Sequence, residues 1–366
     1  MSETRIAHTG MAEASLGGNA SSVAMPPVRS EMDLMVESYS QVTAEGALGA
    51  YLFVRDNQSF FNVGRSKSEI DKFKEEVDGA ATAPFEHRLN NIPFRTISVG
   101  SEGDKEAEKT GSAAPSAKGE YGPKGAPEKD KISDVVEGTT ATSRLRPGGS
   151  STLTISRRHG LRPITPGDNY IMRLSGPPNA NGVMDYSLSI EENIDRLADR
   201  FRMPKSSITL AMLEASGKRA PFNAPIIEGA KRTGATVLEL EAGDLLPGIL
   251  SVLPPELHGK GVFIGAGRTG KEENSEVAAA AKIMGGFMQV KEYSEDPQTL
   301  EQNPVHGVDF LVPGGAHETL VSLTAITPDR WLDIPHIKDE RSAITTNTWV
   351  LSSNGVRVME QVHYIR

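Results

Sequence analysis

ITLAMLEASGKRAPFNAPIIEGAKRTGATVLELEAGD, residues 208–244, is the stretch that decides the fold class. An apolar run at Ile208–Leu213, a helical segment around Ala224–Thr233, the strand-like run Thr236–Leu240 and a helix from Asp244 follow one another. Strands that alternate with helices need crossover connections, so the pattern predicts an α/β layer with a largely parallel arrangement. Downstream, Gly261–Gly265 reads as another strand, Ser275–Met284 as a helix and Phe287–Glu292 as a strand. The tail is strand-rich, with Val308–Val312, Val321–Ile326 and a hairpin across Asn354-Gly355.

Upstream, Ser189-Ile190-Glu191-Glu192 is a capping box opening a helix with an apolar face of Ile190, Ile194, Leu197, Ala198 and Phe201. A second domain is expected from about residue 186, giving an N-terminal α+β domain over 30–185 and a C-terminal α/β domain over 186–366. Within the first, Leu34, Met35, Tyr39, Val42, Ala47, Leu48 and Tyr51 form a helical stripe from Glu31. Asp56–Asp71 reads as a connection, Lys74–Ala81 leads into a helix broken or bent near Pro84, and Phe94–Val99 alternates like a strand. Ser151–Ser156 and Tyr170–Leu174 are expected as strands of one sheet, joined by a turn around Pro163–Gly167.

Bulk composition narrows the function classes. The chain has 366 residues, no cysteine and a net charge of −9. Disulfides, thiolate metal sites and thiol nucleophiles are excluded. The acidic balance, without a long Lys/Arg run, argues against a general nucleic-acid surface. No run approaches the ~18 apolar residues of a membrane span, and Met1–Arg5 has no signal-peptide core, so a cytoplasmic protein without a membrane partner is expected. Two polar tracts stand apart: residues 1–29, expected as a mobile tail, and 103–131, expected as an exposed loop that is either a lid or a tolerated insertion.

The chemistry concentrates in Asp134-Val135-Val136-Glu137-Gly138-Thr139-Thr140. Two acids three residues apart can converge on a hard divalent cation, and the Gly-Thr that follows suits a phosphate. Solvated loop acids are the alternative. Asp78, Glu102 and Glu273 also stand at element ends or glycine turns. Carboxylates sharing one site repel unless divalent ions neutralise them, which points to two Mg2+ and phosphoryl chemistry. A rival reading is Gly265-Ala266-Gly267-Arg268-Thr269-Gly270, a literal G-x-G-x-x-G after an apolar strand, with Glu292 about 20 residues on, as in an NAD(P)-binding oxidoreductase. Glu272 and Glu273 directly beyond it would repel a pyrophosphate, and a glycine turn serving packing alone is the plain alternative. None of the eight histidines has ligand-like spacing, and Arg157-Arg158 reads as a solvated pair more readily than as an anion contact.

With these residues laid out, the chain resembles the class II fructose-1,6-bisphosphatases, within the lithium-sensitive, Mg2+-dependent phosphatase superfamily. The resemblance runs from about Asp33 to Arg366 and rests on Val42-Thr43-Ala44-Glu45, Asp78-Gly79-Ala80-Ala81, the Glu102 turn, Asp134-x-x-Glu137-Gly138-Thr139, Gly243-Asp244, the Glu273 loop and Gln361-Val362-His363-Tyr364. It implies a layered α-β-α-β-α sandwich of the sugar phosphatase type, with the site in a cleft between two subdomains. It implies Mg2+, or Mn2+, in two or more ions held by Asp78, Glu102, Asp134, Glu137 and Glu273. Lys74, Thr139 and Glu273 become catalytic candidates, and Gly138, Thr139, Tyr170, Arg173, Gly243, Asp244, Lys218 and Arg219 substrate contacts.

Departures from the family pattern temper the substrate. The Glu102 turn reads Gly100-Ser101-Glu102-Gly103-Asp104, so either Glu102 or Asp104 is the ligand. Lys129-Asp130-Lys131-Ile132-Ser133 stands where an apolar strand is usual, so that strand is expected to be short or loosely held. Ala242 replaces the first acid of an Asp-Gly-Asp sugar loop, and the Lys-Pro-Arg phosphate motif gives way to Lys218-Arg219-Ala220-Pro221. The expected function is a phosphomonoesterase of carbohydrate metabolism, of the gluconeogenic type. It would act on fructose 1,6-bisphosphate, sedoheptulose bisphosphate or a related sugar or cyclitol phosphate, by attack of metal-activated water. A non-catalytic sugar-phosphate-binding homologue is the alternative. The resemblance also implies a homo-oligomer, dimer or tetramer.

Overall fold

The computed structural model describes residues 2–7, 29–101, 119–164, 170–259, 261–292, 304–327, 336–340 and 343–364. The expected tail contributes a strand, β1 (Ser2–Ala7). Ser30 caps α1 (Glu31–Asp56), its Oγ accepting from Asp33 N at 3.1 Å, and the apolar stripe buries Met35, Tyr39, Val42, Ala47 and Leu48. Helix α2 spans Lys67–Asn90, so the expected connection over 56–71 is shorter. Both halves of a Ser66/Glu69 capping box start it, and it runs through Pro84. Gly49 of α1 packs at that turn: a Cβ there would lie 2.3 Å from the Ala80 carbonyl oxygen, the acceptor Pro84 cannot serve.

Strand β2 (Arg95–Ser101) is followed by β3 (Glu120–Tyr121), β4 (Glu128–Glu137), the short α3 (Thr139–Thr142) and β5 (Ser150–Arg157). Two expectations are corrected here. Residues 128–131 are not part of an exposed loop but open β4, which is neither short nor loose: nine of its ten residues are buried, parallel to β2 and antiparallel to β5. Its charges are accommodated one by one. Lys129 pairs with Glu31 and lies over the Phe94 ring, and Asp130 pairs with Arg158. Lys131 Nζ donates to Ser133 Oγ at 2.8 Å and lies over the Tyr121 ring. Lysine stems bury apolar surface while their ends find a partner.

The chain then builds β6 (Tyr170–Gly176), α4 (Ile190–Phe201), β7 (Ile208–Leu213), α5 (Ala220–Thr233), β8 (Thr236–Leu240) and α6 (Leu245–Val252). Strand β9 (Val262–Gly270), α7 (Lys271–Met284), β10 (Phe287–Glu292), β11 (Val305–His306) and α8 (Gly307–Leu311) follow. The strand expected at Val308–Val312 is therefore largely helix: Val308 and Leu311 reach the core from one side, a helical spacing that a five-residue segment with four apolar residues conceals. Strands β12 (Leu320–Ala325), β13 (Lys338–Glu340), β14 (Ala343–Ser352) and β15 (Gly355–Tyr364) complete the chain, with Ser353-Asn354 turning the expected hairpin.

Two sheets result. The nine-stranded one has the order β1-β15-β14-β12-β5-β4-β2-β3, with β13 beside β14, and the six-stranded one the order β11-β10-β6-β9-β7-β8. Strands β5 and β6, expected in one sheet, lie in different ones. Sheet membership also cuts across residues 185/186, since β6 belongs to the second sheet and the chain returns to the first at Leu320. Helices α1 and α2 cover the outer face of the larger sheet, and α4 and α5 that of the smaller. Between the sheets lie α6 and α7, packed against Ile132, Val321 and Leu323 on one side and Ile171, Phe263 and Met288 on the other. Ala278–Ala281, all fully buried, keep α7 thin enough for that middle layer. This is the α-β-α-β-α sandwich. Among the described residues no helix is long and apolar enough to cross a membrane.

Candidate active site

A cleft of about 750 Å3 collects side chains from both sheets and from α2. Lys67, Asp71, Lys74, Glu75 and Asp78 line it at spacings of three and four along α2, one face of a single helix. Opposite them stand Glu137, Gly138, Thr139 and Thr140 from the end of β4. Here the ladder is irregular: Asp134 faces Thr152 and Glu137 faces Ser150, so β4 carries one residue more than β5. Such a bulge re-aims side chains that a regular strand would alternate across the sheet. Val136 N donates to Asp134 Oδ1 at 3.1 Å. Thr139 Oγ1 lies 3.0 Å from Val136 O and 3.2 Å from Asp78 Oδ1, tying the β4 end to α2.

The other wall comes from the smaller sheet: Tyr170 at the start of β6, Arg219, the Glu241–Asp244 loop, Arg268–Gly270 at the end of β9, and Glu273 in the first turn of α7. Glycines let the two walls meet. Gly138 and Gly243 have φ of 72° and 77°, and a Cβ on either would fall 2.5 Å or 2.3 Å from the Gly148 carbonyl oxygen. No other residue allows both the left-handed backbone and that approach.

The structure thus brings Lys74, Asp78, Glu137, Gly138, Thr139, Tyr170, Arg219, Gly243, Asp244 and Glu273 to one cleft. Asp134 is 2% exposed on β4, beneath the surface that Glu137 reaches. Arg173 is placed differently from the expectation. Its side chain is fully buried under the cleft, Nη2 donating to Asp244 Oδ2 at 3.1 Å, so it meets the sugar loop rather than a phosphate. Arg157 and Arg158 pair with Glu318 and Asp130 and belong to the scaffold. Glu102, Asp104 and the side chain of Lys218 lie outside the described residues.

Arg268 and Glu276 escaped the sequence reading. The Arg268 guanidinium lies 4.2 Å over the Tyr170 ring, and Asn223 Oδ1 accepts from its backbone N at 3.1 Å. A lone arginine inside a glycine-rich run was its signal. Glu276 is fully buried in α7, and Thr152 Oγ1 donates to its Oε2 at 2.9 Å. It ends the polar run that begins at Lys271 and directly precedes Val277 and four alanines, so nothing in the sequence set it apart from the acids before it.

Electrostatics mark the same place. Burial pushes the Glu276 carboxyl well above the usual range, and Glu137, Glu273 and Glu272 push it further. Burial likewise raises Asp244, with Arg173 pulling it back and Glu273 raising it again. Several desolvated carboxylates therefore interact across the acid wall, and a cation would relieve their repulsion. The donor set is oxygen only, which fits a hard divalent ion such as Mg2+ in chemistry. Among the described residues no three carboxylates or imidazoles converge on a single ion position.

The family described as "Bacterial fructose-1,6-bisphosphatase, glpX-encoded" matches residues 66–363, most of the chain. The chain belongs to that family. Fructose-bisphosphatases are phosphoric monoester hydrolases. Over 276 residues the chain is 26% identical to fructose-1,6-bisphosphatase 2 class 2 of Escherichia coli (strain K12), a match covering 69% of this chain and 80% of the relative. Over 223 residues it is 27% identical to D-fructose 1,6-bisphosphatase class 2/sedoheptulose 1,7-bisphosphatase of Prochlorococcus marinus (strain MIT 9303), covering 59% of this chain and 60% of the relative's length.

In this family member the glycine motif does not support the dinucleotide reading. Gly265–Gly270 are not a turn but the second half of β9, paired residue by residue with β6 from Ser175↔Gly265 to Tyr170↔Gly270. A pyrophosphate needs backbone N–H groups turned out at a strand-to-helix bend, and here the strand runs into Gly270, the N-cap of α7. Strand β10, which ends at Glu292, pairs antiparallel with β6 instead of lying parallel beside β9.

Proposed function

We propose that the chain is a Mg2+-dependent sugar-phosphate phosphatase, acting on a bisphosphorylated ketose such as fructose 1,6-bisphosphate or sedoheptulose 1,7-bisphosphate. The observation that carries this reading is the pairing, in one cleft of a fructose-bisphosphatase family member, of an acid wall at Asp78, Glu137 and Glu273 with cations at Arg219 and Arg268. A cytoplasmic location and homo-oligomeric assembly belong to the reading and rest on the resemblance.

Asp78, Asp134, Glu137 and Glu273 would hold the ions, with Glu102 as a further candidate. Bound Mg2+ would supply Lewis-acid polarisation of the phosphoryl group and lower the pKa of an attacking water. The chain's own residues do the rest. Thr139 Oγ1, held between Asp78 Oδ1 and Val136 O, is fixed where it can orient a water or the leaving oxygen. Lys74, one helical turn from Asp78, contributes positive charge toward the developing phosphate. Arg219 and Arg268 would receive the phosphate that is not cleaved. Arg268, stacked on Tyr170, offers a pre-oriented guanidinium that takes over from the lost Lys-Pro-Arg motif and from the buried Arg173. Asp244 would accept from a sugar hydroxyl, and Ala242 leaves a second such acceptor out, which loosens selection among ketoses.

Phosphate release should be screened over hexose, heptulose, inositol and nucleotide phosphates with Mg2+, with EDTA and Li+ as controls. Release from a ketose bisphosphate, abolished by EDTA, is expected. Stabilisation by a sugar phosphate without release would overturn the enzyme reading in favour of a binding protein.

A further inference from the structure

Glu276 does not line the cleft, yet its hydrogen bonds lead to it. Thr152 Oγ1, 2.9 Å from Glu276 Oε2, is also 3.2 Å from the carbonyl oxygen of Asp134. Thr152 is the residue opposite Asp134 in the ladder, the last regular pair before the bulge that separates Asp134 from Glu137. Beyond the bulge, Val136 N donates to Asp134 Oδ1 and Val136 O accepts from Thr139 Oγ1, which reaches Asp78 Oδ1. A path of close polar contacts, linked through the β4 backbone, therefore joins the middle layer to the acid wall.

The fold alone gives no reason for an acid at this position. The residues that follow it in α7, Val277 and Ala278–Ala281, are fully buried and apolar, those before it from Lys271 to Ser275 are buried and polar, and a carboxylate this deeply buried is unfavourable. What the carboxylate does is fix the Thr152 hydroxyl, which otherwise turns about its Cα–Cβ bond, against the strand at the point where the ladder loses register. Asp134 and Glu137 flank that bulge, one on each side, so its backbone sets their relative placement.

We propose that Glu276 is a positioning residue that acts through Thr152 to hold the β4 bulge, so that Asp134 and Glu137 face a divalent cation together; this rests on the reading of the site given above. The test is calorimetric titration of Mg2+ into the full chain and its E276L, E276Q and T152V variants, with thermal melts in chelator alongside. Leucine removes an unfavourable buried acid and valine is isosteric with threonine, so both variants should fold, E276L with an unchanged or higher Tm. Both are expected to weaken Mg2+ binding by roughly tenfold or more, the usual effect of losing a group that orients a ligand. The amide oxygen of the substituted glutamine accepts the same bond, so E276Q should stay within about threefold of the unsubstituted chain. Full Mg2+ affinity in E276L or in T152V would overturn the proposal, as would E276Q weakened as much as E276L, which would make the charge and not the hydrogen bond the active feature. No Mg2+ binding by the unsubstituted chain would overturn the site reading itself, a result distinct from binding that the substitutions leave unchanged.

Discussion

Charge is buried twice along β4, and the two halves of the strand handle it differently. In the first half Lys129, Asp130 and Lys131 each meet an opposite charge, a hydroxyl or an aromatic face, and acids and bases alternate. Toward the second half, beyond Ser133, Asp134 and Glu137 are followed across the layer by Glu273 and Glu276, where acid lies next to acid and burial raises the Glu276 carboxyl. Alternating charge of this kind is scaffold, because the interior tolerates ions that are paired. Burial next to other acids raises the Glu276 carboxyl instead, and a cation on the acid wall would relieve that repulsion.

The comparison fails most visibly if the second half can be neutralised without loss. D134N and E137Q are expected to cut phosphate release by roughly three orders of magnitude or more and to weaken Mg2+ binding, with circular dichroism and Tm preserved. Activity retained in both variants would make the crowded acids structural. The cleft cations give the next largest effect. R268A removes a charge-assisted contact of about 1.5–3 kcal/mol, so KM for a ketose bisphosphate should rise roughly 10- to 100-fold, with kcat changed less. An unchanged KM would remove Arg268 from substrate binding and leave Arg219 to meet the second phosphate.

The first half of the strand should respond in stability instead. D130A removes the buried partner of Arg158, but that side chain keeps Glu128 at 3.9 Å, is 36% exposed and can reach water. The cost is therefore set below the range for a fully buried pair, at about 2 kcal/mol by chemical denaturation, with kcat per folded molecule unchanged. A loss of kcat larger than the loss of folded protein would mean that the paired half also serves the site.

How much of this was legible followed from periodicity and caps. The stripe from Leu34 to Tyr51 and the Ser189–Glu192 box are local signals, and the helices they announce are present. The Ser66-x-x-Glu69 box is equally local, and it marks the start of the helix whose face lines the cleft at Lys67 and Asp71. Strand β4 misled because Lys129-Asp130-Lys131 reads as exposed. Its burial depends on Glu31, Arg158, Phe94 and Tyr121, residues distant in sequence. Strand β9 misled in the opposite way, since a glycine motif reads as a turn until β6 is seen paired along it. Assigning Arg173 to phosphate failed for a related reason: a cation at the matching position does not show which face of its strand it takes, and here that face is the α6 side, toward Asp244.

The smallest expected effect separates the two halves by pH. Burial first, and then Glu137, Glu273 and Glu272, raise the folded carboxyl of Glu276 above its unfolded value near 4.5. A raised carboxyl binds its proton more tightly in the folded chain. Its contribution to stability is therefore complete below that unfolded value and is lost as pH rises through the folded one. In chelator, E276Q cannot lose that proton, so the Tm difference between E276Q and the unsubstituted chain should be small near pH 4.5 and should grow, in favour of the variant, toward neutral and alkaline pH. Saturating Mg2+ should shrink the difference, because a cation on the acid wall offsets the same repulsion. Exposed Glu69 serves as the control, since the Ser66 cap lowers its carboxyl and gives the opposite slope: stability present above the unfolded value and lost as pH falls through the folded one. A Tm difference for E276Q that is flat with pH would show that the crowded acids do not sense one another through Glu276, and the contrast between the halves of β4 would then rest on Asp134 and Glu137 alone.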